Sequence, residues 1–158
     1  MARWAAAVLT AAALLWVAAI FVAPMLLAHG PTFVVLLVYQ AGSLVCHQLP
    51  DRSFHFAGVQ MPVCARCTGL YVSGAIGACA GSIGLPAGAR PLRWWLAIAA
   101  LPTLFSVAAE WAGLVHPSGL SRAVLGLPLG GFAGWWFVHA LRTQATGPRP
   151  LAQMRYHA

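Results

Sequence analysis

Between Cys46 and Thr68 the chain places three cysteines, two histidines and two arginines, in the runs Cys46-His47-Gln48, Arg52-Ser53-Phe54-His55 and Cys64-Ala65-Arg66-Cys67. Thiolate and imidazole are zinc's preferred protein ligands. A C-x-x-C pair is a recurrent half-site because its spacing lets both sulfurs reach one ion at about 2.3 Å. The pattern nominates Cys46, His47, Cys64 and Cys67 as four ligands of one metal. Adjacent ligands such as Cys46 and His47 are strained as a chelate, so His55 stands as an alternative to His47. The expected ion is zinc, with copper or iron also suited to these soft donors and geometry the arbiter. Three thiolates on a divalent ion leave a negative charge that Arg52 or Arg66 would neutralise. Arg52, Ser53, His55, Arg66, Glu110 and Arg122 are the polar groups expected to surround the ligands and tune them.

The same cysteines support two other readings. Cys64 and Cys67 precede an apolar run, and at a helix start the dipole and Arg66 would stabilise a reactive thiolate. In this the pair resembles the membrane thiol-oxidising families of the disulfide-bond B and vitamin K epoxide reductase type. Those families relay electrons through a second cysteine pair. Here only Cys46 is near, since Cys79 lies about 18 Å along the helix by its rise per residue. A plain disulfide would persist in an oxidising compartment but leaves the third cysteine and the His and Arg residues without a role. A C-x-x-C alone is a weak signal. Accompanied by Cys46-His47, two arginines and a distant acid, it favours the metal first, redox exchange second and a structural disulfide third.

The elements that must hold these residues are membrane helices. Of 158 residues 61% are hydrophobic and 7% charged, against about 25% charged in a soluble domain. A soluble globule and a disordered chain are both excluded. The nine arginines are scattered singly at segment ends and not gathered on a basic face, which excludes a nucleic-acid partner and leaves the lipid bilayer.

The chain divides into apolar runs over Ala5–Ala28, Thr32–Cys46, Thr68–Leu85, Trp94–Gly113 and Ala123–Leu141. The expected fold is all-α, a polytopic transmembrane bundle of four to five segments forming one domain over residues 1–141. Residues 142–158 are expected to be a disordered cytoplasmic tail. The first run is long for a secretory signal and is expected to be a retained anchor. The second, 15 residues, is short of the roughly 20 a span requires. Gly69, Ser73, Gly77 and Gly81 on one segment, and Gly126, Gly130 and Gly134 on another, predict close helix packing in lipid.

Arginine placement sets the orientation. If the short run does not cross, Arg3, Arg90, Arg93, Arg142, Arg149 and Arg155 share one side, opposite Arg52, Arg66 and Arg122. If it crosses, Arg3 changes side. Either way the positive-inside rule puts the tail in the cytoplasm and the Cys/His stretch outside an inner membrane of prokaryotic type. Glu110 and Arg122 then lie on the cysteine side. Glu110 is a ligand, a proton acceptor or the counter-ion of Arg66 or Arg122, since an ionisable group at membrane depth needs a partner.

Cys46-His47-Gln48, Arg52-Ser53-Phe54 and the run Pro62-Val63-Cys64-Ala65-Arg66-Cys67-Thr68-Gly69-Leu70-Tyr71 together resemble the signature of the family called domain of unknown function 2085. The resemblance extends to Glu110 and Arg122; Leu125 stands where the family often has threonine. It implies a small prokaryotic membrane protein of several spans and no assigned activity.

Overall fold

The computed structural model of the chain describes residues 2–30, 32–84 and 92–146. It is an all-α bundle of five helices: α1 (Ala2–Leu27), α2 (Phe33–Val45), α3 (Ala65–Ser82), α4 (Leu92–Trp111) and α5 (Gly119–Thr146). Three of them, α1, α4 and α5, are long and apolar enough to cross a membrane. Their outward faces carry large apolar side chains such as Leu15, Phe105 and Phe137, exposed by 70%, 78% and 62%. Water would penalise such a surface heavily, whereas lipid accepts it. At 18 residues α3 has the same length as the apolar span of α4, Trp94–Trp111. Its Gly, Ser and Ala residues make it less apolar, and it packs inside the bundle.

The path of α1 resolves the short segment. Near its start Ala6 packs with Ala78 and Val138, late in α3 and α5, and Thr10 hydrogen-bonds Ser82 at 2.9 Å. Near its other end Ile20 packs with Cys46, Met61 and Val63. The chain therefore reaches the cysteine end through α1. The 13-residue α2 then finishes at Cys46, still at that end, so it does not traverse the bundle. Arg3 and Arg142 share a cavity at the opposite end.

The small-residue faces meet each other. A Cβ on Gly126 would sit 2.6 Å from the Arg66 carbonyl oxygen, and one on Gly81 would sit 2.6 Å from that of Trp135. Cβ atoms on Gly69, Gly77, Gly130 and Gly134 would collide with backbone atoms of the facing helix. Glycine is required at these points because the backbones of α3 and α5 are in contact, as expected of association in lipid. The last helix is longer than the apolar run that marked it and continues past Leu141 to Thr146. The expected disordered tail is thereby shortened, and its residues 147–158 lie outside the described residues.

A feature not expected from the sequence lies in the polar stretch. Residues Ser53–Phe56 (β1) and Val59–Cys64 (β2) form an antiparallel hairpin. Its turn places Ala57 and Gly58 at φ of 50° and 79°, the left-handed pair that a tight two-residue hairpin turn needs. The hairpin lies over the end of α1, burying Met61 and Val63, and leads directly into α3.

Candidate metal centre

Three elements deliver three thiols to one place. Cys46 is the residue at which α2 ends, Cys64 closes β2 and stands immediately before α3, and Cys67 lies in the first turn of α3. Their sulfurs lie within 4.8 Å of one another, and no disulfide joins them. The Cys64 backbone N–H donates to Cys46 Sγ at 3.1 Å. The thiol of Cys64 is pulled down to about 5, chiefly by a hydrogen bond from the Cys67 side chain, against opposing burial. A trio of thiols, one buried and two half-buried, fits a soft or borderline cation, whose ligands must be deprotonated.

The two histidines are not in the trio. His47 is exposed; its ring does not approach the three sulfurs as a fourth donor, yet the residue lines the cavity beside them. His55 pairs with Gln60 across the hairpin, is exposed, and lies outside both the trio and the cavity. The Ser53 hydroxyl donates to the Leu49 carbonyl at 2.8 Å, across the turn that precedes the hairpin.

Glu110 is the counter-ion of two arginines. Its side chain is only 3% exposed, so an unpaired carboxylate there would be very costly. Arg66 donates to Oε2 at 2.6 Å and also to Ser106 Oγ at 2.9 Å. Arg122 donates to Oε1 through two nitrogens, at 3.0 and 2.6 Å, and its remaining terminal nitrogen reaches the Asp51 carbonyl at 3.4 Å. One carboxylate thus ties α3, α4 and α5 together at the cysteine end. Arg52 approaches it only to 3.9 Å.

Several residues that the sequence did not single out hold the trio. Gln48 adopts φ of 47°, and its amide nitrogen donates to the Tyr39 carbonyl at 2.8 Å and the Pro62 carbonyl at 2.7 Å. Gln60 returns a bond to the Gln48 carbonyl, and the Tyr39 hydroxyl donates to the Gln60 carbonyl, each at 2.5 Å. This network fixes α2 to β2 and so sets the approach of Cys46 to Cys64. The signal for Gln48 was its place beside Cys46-His47; Tyr39 and Gln60 carried none.

A helical membrane protein with a polar thiol centre at one end of the bundle is the class these features define. The chain belongs to the family described as predicted membrane proteins of domain of unknown function 2085, whose pattern matches residues 46–136. That range begins at Cys46 and takes in the hairpin, Glu110 and Arg122. An uncharacterised protein of Methanocaldococcus jannaschii is 33% identical over 128 residues, covering 74% of this chain and 80% of its own. An uncharacterised protein of Methanothermobacter thermautotrophicus is 54% identical over 28 residues, covering 18% of this chain and 25% of its own. No solved structure matches.

Proposed function

We propose that this membrane protein binds a zinc-like ion through Cys46, Cys64 and Cys67 at its extracytoplasmic face. The observation that carries the reading is the convergence of three sulfurs from three elements within 4.8 Å. His47, on the wall of the same cavity, is the chain's own candidate for a fourth ligand. Its engagement would close the site in the manner of structural zinc, and its absence would leave the open position of a catalytic one. The extracytoplasmic placement rests on arginine: Arg3 and Arg142 lie at the opposite end, and the positive-inside rule draws that end to the cytoplasm.

A second reading, thiol–disulfide exchange between Cys64 and Cys67, is favoured by the lowered thiol of Cys64, since the thiolate is the nucleophile in exchange. One experiment separates the two. Metal content and free thiols are measured on the same purified sample of wild type, Cys67→Ser and Cys79→Ser. Metal binding requires about one ion per chain, retained in Cys79→Ser and lost in Cys67→Ser. A metal-free protein whose Cys64–Cys67 disulfide forms and reduces reversibly would replace this reading with the second.

A further inference from the structure

The cysteine end contains more positive charge than its one buried acid can match. Glu110 has both oxygens engaged, Oε2 by Arg66 and Oε1 twice by Arg122. Arg52 is left at 3.9 Å from Oε1, beyond hydrogen-bond distance. Its guanidinium makes no hydrogen bond among the described residues, and its side chain is 40% exposed. The Nε of Arg66 is also buried without a partner. Asp51 is exposed and does not line the cavity. Even three thiolates around a divalent ion would leave a single negative charge, against a surplus of two positives from Arg52, Arg66 and Arg122 over Glu110.

Two of these arginines border an actual space. Arg52 and Arg66 line a cavity of about 380 Å³ together with His47, the three thiols and the apolar Val45, Leu49 and Trp111. That volume is in the range of small-molecule sites, roughly 300–1,000 Å³. Guanidinium donors without partners select carboxylate or phosphate oxygens, which they bind by charge-assisted hydrogen bonds. We propose that this cavity binds a small carboxylate- or phosphate-bearing anion, with Arg52 as its principal donor and Arg66 supplying charge. The proposal deepens the metal-site reading and rests on it for what the three thiols hold; the anion's hold on Arg52 has its own test.

Equilibrium dialysis of radiolabelled phosphate and acetate against the full chain in neutral-lipid nanodiscs provides that test. Saturable binding of at least one of the two is expected. Arg52→Gln should weaken it about tenfold or more, while Arg142→Gln, at the opposite end, should leave it unchanged. Repeating the measurement in phosphatidylglycerol nanodiscs identifies the natural source. Displacement of the soluble anion there assigns the site to a lipid headgroup, and undiminished binding assigns it to a soluble ligand; either upholds the anion site. Absence of saturable binding, or binding equally strong in Arg52→Gln, overturns it. Metal content of the same samples keeps the two readings apart. A metal-free protein with Arg52-dependent anion binding loses only the ion, and a metal-loaded protein without such binding loses only the anion.

Discussion

Cys64 stands where three influences meet: the Cys67 thiol, the Cys46 sulfur and the start of α3. Its pKa, lowered to about 5, means the thiolate persists at neutral pH and is protonated only as pH falls through that value. In chelator-treated protein the iodoacetamide alkylation rate of Cys64, followed by peptide mass spectrometry, should therefore be flat from pH 8 to about 6 and fall near about 5. An ordinary thiol would instead gain rate with each pH unit up to about 8.5. Gln48 acts one step further out. Its left-handed backbone carries a strain of about 1–3 kcal/mol, tolerated because its amide joins Tyr39 to Pro62. Gln48→Ala should loosen Cys46 and weaken metal binding about 10–100-fold, as loss of a ligand-orienting group does. Competition with a chromophoric chelator measures this, and an unchanged helical circular dichroism spectrum would show that the bundle survives.

At the scale of elements, the contact of α3 with α5 determines where the arginines and thiols lie. Gly126 faces the Arg66 carbonyl, where a Cβ would come within 2.6 Å, whereas a Cβ on Gly74 would come no nearer than 3.5 Å, to the Gly130 oxygen. Gly126→Ala should thus cost about 1–3 kcal/mol through overpacking, and Gly74→Ala should be nearly neutral. Thermal unfolding in detergent compares them, and equal midpoints would contradict the close approach. This helix pair was legible in the sequence because small residues at four-residue spacing have a direct physical meaning in lipid. The three cysteines were legible because thiols in a chain so poor in polar groups require a common purpose. The hairpin was not: Ala57-Gly58 lacks the Asn-Gly signal of such turns, and Ser53–Phe56 is too short to establish an alternation. His47 and His55 stand outside the sulfur trio for a related reason. Residue type suggested ligands, but the extended path after α2 and the hairpin register leave both rings exposed. Glu110 was left among three roles because only the fold could show both arginines converging on it.

For the whole molecule the decisive question is which end faces out. Both Ala6 and Val138 belong to the end opposite the thiols, so the start of α1 and the close of α5 lie together, and α2 does not reverse the count by crossing. Among the described residues Arg3 and Arg142 then lie at the end opposite Arg52, Arg66 and Arg122. Arg66 and Arg122 share the single charge of Glu110, so the thiol end still carries a surplus of positive charge. The orientation proposed above, with a cytoplasmic C-terminus, rests on the arginine distribution. An epitope inserted at the exposed Ala57–Gly58 turn should be reached by antibody in intact spheroplasts, and a C-terminal epitope only after permeabilisation. The reverse pattern would place the thiols in the reducing cytosol, where a metal centre is still chemically reasonable but a disulfide between Cys64 and Cys67 would be disfavoured. Two epitopes on the same side would contradict the bundle itself, since the hairpin and the end of α5 would then have to share one face of the membrane.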